Sequence, residues 1–295
     1  MPTPAATRTE DALVLTTVRI SAGLTSAEPT SVGTGFLYRV AHSTTNIAKC
    51  LLITNKHVVH GAEVVHFLIS HATSVTDLNK QHQPVGRQDQ LFTMPLAGNL
   101  YHHRDQNVDL CAIDVTIPIG NLLGAGKQIR SMIIDASWLP SEIDRKNMRT
   151  MEPVMVIGYP VGLFDSHNNM PIVRKGTTAT HPLAHYKNRR DFLVDVAAYA
   201  GSSGSPVFSF ESPFYRQDDG TLAPGSKGQF LGVVWGVIET TSQGTLHVVE
   251  IPSALTQIPL TKTSLNLAIA LHGDLIRDFD EQVFPVGAPF IPLAT

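Results

Sequence analysis

Cysteine is scarce in this chain: two among 295 residues, too few for the disulfide framework that specifies small secreted domains. A long basic run is also missing. Lys and Arg total 22 against 25 Asp and Glu, a net charge of −3 that argues against nucleic acid as the main partner. The short clusters Lys187-Asn188-Arg189-Arg190 and Arg145-Lys146 read as solvated loop charge. No apolar stretch reaches membrane-spanning length, and Met1 to Asp11 has no basic region followed by an apolar core. Neither a bilayer span nor a secretory signal is therefore expected, and the location expected is cytoplasmic. The 13 histidines raise the question of a metal, but no HExxH or cysteine cluster accompanies them. His102-His103 and the pair His181 and His185 read as loop residues, so neither a metal nor another cofactor is expected.

What remains is turn-rich and apolar. The chain is 43% hydrophobic with 22 Gly and 19 Pro, which suits a globular all-β protein large enough for a substantial core. Short apolar, β-branched runs predict strands at 13–20, 35–40, 49–54, 63–69, 90–96 and 109–117. A second series follows at 154–157, 172–178, 192–196, 206–210, 229–238 and 246–251. Residues 119–152, with Gly124-Ala125-Gly126 and a charged stretch, read as a connection. That divides the chain into 1–118, 119–152, 153–255 and 256–295. The run 264–276, led by Ser264 as a possible N-cap, predicts a helix, and a proline-containing apolar tail follows it. There is no internal repeat or low-complexity segment, and strands spaced this evenly favour a sandwich or barrel over βαβ units.

Three segments carry chemistry. In Gly201-Ser202-Ser203-Gly204-Ser205-Pro206, small residues allow a tight turn that leaves the Ser203 hydroxyl exposed and lets the Gly201 and Ser203 amides point into one hole. Serine is a poor nucleophile until an imidazole takes its proton. His57 supplies one, just beyond the apolar run Leu51-Leu52-Ile53-Thr54. Asp109, opening the run Leu110-Cys111-Ala112-Ile113, supplies a carboxylate to hold the imidazole. Each feature alone occurs by chance; their order His, Asp, Ser, each in its expected context, is informative. The order also differs from the Ser, Asp, His order of α/β-hydrolases.

These segments resemble the trypsin-like, chymotrypsin-fold serine peptidases, above all the bacterial HtrA-type and glutamyl-endopeptidase-type branches. Phe192 to Gly201, with Asp195 at the family's aspartate, is similar to the strand and loop before the nucleophile. Val154-Met155-Val156-Ile157-Gly158-Tyr159-Pro160, Leu231 to Gly236 and Val248 to Ser253 resemble three further strands, so that about 30–255 is covered. The resemblance implies two six-stranded antiparallel β-barrels with the site between them and a short C-terminal helix; too little chain follows for the added peptide-binding domain that HtrA-type enzymes carry, so none is expected. It also implies peptide-bond hydrolysis through His57, Asp109 and Ser203, with the Gly201 and Ser203 amides as oxyanion hole. In the fold so implied, Cys50 and Cys111 lie on strands of one barrel, either paired or as buried thiols. Ser202 stands where animal trypsins carry the aspartate of zymogen activation, so control is expected from loop ordering at 70–89, 163–169 or 181–191, or from a regulatory protein partner. Ala197, Ala198, Val234, Trp235 and Gly236 would line the substrate pocket. With no fixed anion at Ala197 and no histidine at Val234, the residue before the scissile bond is expected to be small or medium and aliphatic. The alternative function is a catalytically silent peptidase fold used for binding or assembly.

Overall fold

The computed structural model describes residues 9–42, 45, 47–72, 85–217, 219–241, 246–250 and 262–285, with backbone only at 240–241, 246–250 and 262–263. A short helix α1 (Thr9–Val14) precedes the first strands: β1 (Thr17–Gly23), β2 (Ser31–Ala41), β3 (Ala48–Thr54), β4 (Val64–Ala72), β5 (Gln88–Pro95), β6 (Leu100–His102) and β7 (Cys111–Asp114). Helix α2 (Thr116–Gly124) and β8 (Gln128–Ile129) follow. These strands form one sheet in the order β5-β4-β1-β2-β3-β7-β6, with β8 against β4. After α3 (Glu142–Asn147) come β9 (Pro153–Gly158), β10 (Ile172–Thr178), β11 (Asp191–Asp195), β12 (Pro206–Glu211), the hairpin β13 (Phe214–Arg216) and β14 (Leu222–Pro224), β15 (Lys227–Thr241), β16 (Leu246–Glu250), β17 (Lys262–His272) and helix α4 (Asp278–Val283). Strands β12-β9-β10-β11-β17-β15 close on themselves through the β12–β15 pairing, and β16 hangs on β15. The molecule is therefore a closed six-stranded barrel beside a half-barrel, the chymotrypsin-like arrangement. Among the described residues, no helix is long and apolar enough to cross a membrane.

Three apolar clusters explain why these sequences became strands. One fills the half-barrel, with Val18, Ile20, Leu52, Val65 and Ile113. Another fills the closed barrel, with Val156, Val194, Val234, Ala268 and Ala270. The third lies between them and joins Phe36, Leu51 and Ile53 to Phe208, Phe230, Ile269 and Leu271. A strand between two clusters is apolar at every position. In β3, Leu51 and Ile53 face the shared cluster while Leu52 faces the half-barrel, and all three are fully buried. Burying a side chain of this size contributes about 1.5–3 kcal/mol.

Several expectations are corrected. Most of the predicted helix at 264–276 is strand β17, paired with β11 and β15, and only its end, 273–276, lies in a short helical turn. Its Ile269 and Leu271 face the shared cluster while Ala268 and Ala270 face the barrel interior. Burial on both sides erases the period-2 signal, so periodicity alone cannot distinguish such a run from a helix. The C-terminal helix lies further on, at α4. Strand β16 is an edge strand and not the last one. The first group does not close by a ladder: β5 bonds β4, the chain turns at Leu96 to Asn99 with Gly98 at φ +79, and β6 bonds β7. The run 13–20 is split between α1 and β1. In place of a strand to residue 117, α2 begins at Thr116, with Pro118 tolerated in its first turn. Within 119–152, α2 packs Ile119 and Leu122 into the half-barrel and β8 joins its sheet. Most of the apolar tail and part of the segment 70–89 lie outside the described residues.

Candidate active site

Strand β3 ends at Thr54, and a single helical turn over Lys56–Val58 reverses the chain. Val58 anchors that turn in the half-barrel cluster. Asn55, fully buried at its start, donates from Nδ2 to the Asp109 carbonyl at 2.7 Å, and the His57 N–H donates to Asp109 Oδ1 at 3.1 Å. These two bonds tie the His57 and Asp109 segments together. The His57 ring then lies between the other two groups, with Nδ1 2.5 Å from Asp109 Oδ2 and Nε2 2.8 Å from Ser203 Oγ. The His57 and Asp109 side chains are 11% and 13% exposed, which keeps water from competing for these contacts.

Ser203 follows a tight turn in which the Ser202 N–H donates to the Tyr199 carbonyl at 2.9 Å. Gly201 holds φ +83, and a Cβ there would stand 2.4 Å from the Tyr159 carbonyl oxygen. Gly204 has the same φ, and a Cβ would meet the Thr34 carbonyl oxygen at 1.9 Å. Only glycine fits either position. The Ala200 carbonyl accepts the Val161 N–H, where Val161 itself is left-handed at φ 54. Since a trans peptide points its N–H opposite to its carbonyl, this contact turns the Gly201 N–H away from the 160–162 segment. From the half-barrel, the Thr34 N–H donates to the Ser203 carbonyl at 2.8 Å and Thr34 Oγ1 donates to the Gly201 carbonyl at 2.9 Å. Thr34 Oγ1 also accepts the Tyr159 N–H at 3.0 Å.

The sequence suggested an exposed Ser203 hydroxyl, but the residue is fully buried. His57 covers its Oγ, and β2 lies against its backbone through Thr34. Val234, Trp235 and Gly236 lie on β15 next to the Ser203 turn, with the Gly204 N–H donating to the Val234 carbonyl at 2.9 Å. Ala197 and Ala198 follow β11 on the way to that turn, and Ala198 and Val234 belong to the barrel cluster. Trp235 carries the Arg189 guanidinium 4.9 Å from its ring centroid. Arg189 also donates to Asp191, whose carboxyl burial pushes above the usual range. Cys50 and Cys111 are buried free thiols, not a disulfide, and burial pushes both up, Cys50 to about 12.

Thr34, Asn55 and Val161 were not singled out from the sequence. For Thr34 a signal existed: glycine on both sides within a strand marks a close approach. A Cβ at Gly33 would come within 2.7 Å of Val58, and one at Gly35 within 2.5 Å of Ile20. For Val161 there was none, because its contribution is a backbone N–H.

No curated protein matches the chain. A crystal structure of the serine endoprotease from Yersinia pestis aligns over 96% of this chain and 69% of that one, at 13% identity and a TM-score of 0.43. The family model described as trypsin-like peptidase domain matches residues 33–212, a span that includes His57, Asp109 and Ser203. With most of its length so matched, the chain belongs to the trypsin-like peptidase domain family.

Proposed function

We propose that this chain is a serine endopeptidase working through Ser203, His57 and Asp109. The observation that carries the reading is the succession Oγ, Nε2, Nδ1, Oδ2 at 2.8 and 2.5 Å. Asp109 accepts from Nδ1 and so holds the tautomer whose Nε2 can take the Ser203 proton. Ser203 Oγ attacks the substrate carbonyl, and the oxyanion formed is received by the Gly201 and Ser203 N–H groups. His57 then returns its proton to the leaving amine, and water hydrolyses the acyl-enzyme. One oxyanion donor in such sites contributes about 3–4 kcal/mol to the barrier reduction. Protein or peptide is the substrate. The apolar setting of Ala198 and Val234, together with Ala197, supports small or medium aliphatic residues before the scissile bond. Control resides in loop order or in a regulatory partner. The segment 163–169 supports this, because its His167 and Asn168 carbonyls are held by Arg87 and Arg130.

The test is hydrolysis of an unstructured protein substrate by the wild type and Ser203→Ala. Turnover is expected to fall about 10⁴-fold or more in the variant, and equal rates would overturn the assignment. The full burial of Ser203 favours a second reading, a silent binding module. That reading predicts an inert wild type even with peptides of the preferred class.

A further inference from the structure

The turn Tyr199 to Ser202 is held on one face by Val161 and Thr34. On β10, outside every group used so far, Arg174 approaches the same stretch of chain. Its Nη1 donates to the Ala197 carbonyl at 2.6 Å, and its guanidinium carbon lies 4.9 Å from the centroid of the Tyr199 ring. Arg174 therefore grips the chain at both ends of Ala197 to Tyr199, the segment that delivers the oxyanion turn. Tyr199 is itself the turn's first residue: its carbonyl accepts from Ser202, and its N–H donates to Ser202 Oγ at 3.2 Å. A planar cation suits this task. It stacks on the ring through its face while donating in its plane, which an ammonium cannot do.

Arg174 is also costly as a filler. Its Nε is buried and finds no acceptor among the described residues. Methionine would occupy a similar volume and remove the buried unpaired N–H, but it would also take the donor from the Ala197 carbonyl, so the two effects on stability oppose each other and the grip on that carbonyl is what arginine adds. The charge also lies behind Ala197, the position where trypsins place the aspartate that reads basic side chains, and a fixed cation there disfavours a second one. We propose that Arg174 is a positioning residue that fixes the 197–202 segment, and through it the Gly201 and Ser203 amides, in the geometry that receives the oxyanion. The inference rests on the peptidase reading above.

The experiment compares wild type, Arg174→Met, Arg174→Lys and Arg174→Ala by steady-state hydrolysis, thermal unfolding and amide hydrogen exchange of residues 199–203. Arg174→Met is expected to lower kcat about 10- to 100-fold with KM within about twofold, as small displacements of a catalytic geometry do. Its unfolding midpoint should stay within about 2 °C of wild type. The 199–203 amides should exchange about tenfold faster, since the segment has lost an anchor. Arg174→Lys should recover part of kcat, and added guanidinium ion should partly rescue Arg174→Ala but not Arg174→Met. Unchanged kcat and exchange in Arg174→Met, or a loss of kcat that only follows a loss of stability, overturns the proposal. A wild type that hydrolyses nothing overturns the peptidase reading instead, and the exchange arm still decides whether Arg174 holds the turn.

Discussion

Thr34 ties the two halves of the molecule together with its N–H and its hydroxyl, and is itself anchored within the half-barrel through its carbonyl. Its N–H reaches the Ser203 carbonyl, its Oγ1 bridges the Gly201 carbonyl and the Tyr159 N–H, and its own carbonyl accepts from Thr54 Oγ1 at 2.8 Å. Valine has the same shape without the hydroxyl. Thr34→Val leaves a buried acceptor and a buried donor unpaired, and is expected to cost about 2–4 kcal/mol in denaturant-unfolding stability. A change below about 0.5 kcal/mol would mean that water or backbone movement replaces those bonds. At this scale the sequence was legible where chemistry marks the residue. His57 and Asp109 are ionisable groups set against apolar runs, and Ser203 sits among residues chosen for small size. Arg174 and Val161 were not legible, because each acts through a tertiary contact with a backbone group that no local pattern announces, whereas Thr34 was marked only by the glycines on either side of it. Ser203's burial was missed for the same reason: the residues that cover it come from β2 and the His57 turn.

The element with the largest mechanical reach is the segment from Tyr159 to Met170. At its start, the Val161 N–H holds the Ala200 carbonyl in the turn before Ser203. At its far end, Asp165 and Met170 exchange backbone hydrogen bonds at 2.9 and 3.1 Å, and the Asp165 carboxylate accepts the N–H groups of His167 and Asn168. The half-barrel grips this end through Arg87 on the His167 carbonyl, Arg130 on the Asn168 carbonyl and Asn169 on Ser70. Loosening the grip should be felt at the turn. Arg87→Ala with Arg130→Ala is expected to lower kcat about 3- to 30-fold while Ser203 remains chemically intact, consistent with coupling energies carried by packed elements. Steady-state kinetics on the double variant checks this, and a wild-type kcat would show that the two ends are uncoupled. Element by element, strands with one wet face or clear turn residues, such as β10 and β12, were readable from alternation and punctuation. Strand β17 was not: with apolar clusters on both sides, its run of Leu, Ala and Ile satisfies helix and strand patterns equally, and only its pairing with β11 and β15 decides.

For the molecule as a whole, the shared cluster fixes where a site can form. Phe36 and Phe230 meet across it with ring centroids 5.2 Å apart, and Phe208 packs on Phe230 at 5.7 Å. The half-barrel contributes His57 and Asp109, and the closed barrel contributes Ser203, so the succession of groups exists only when both are formed and docked. The two-part plan was legible because a dozen short apolar runs separated by turns admit few architectures. The open ladder of the half-barrel was not, since it depends on where one strand breaks. The most direct test of the account is reaction of the intact protein with a fluorophosphonate, followed by mass spectrometry of its peptides. The account predicts one adduct per chain, on Ser203, formed at least about 100-fold more slowly in His57→Ala because the base is gone. No adduct on the wild type, or an adduct on another serine, would contradict it.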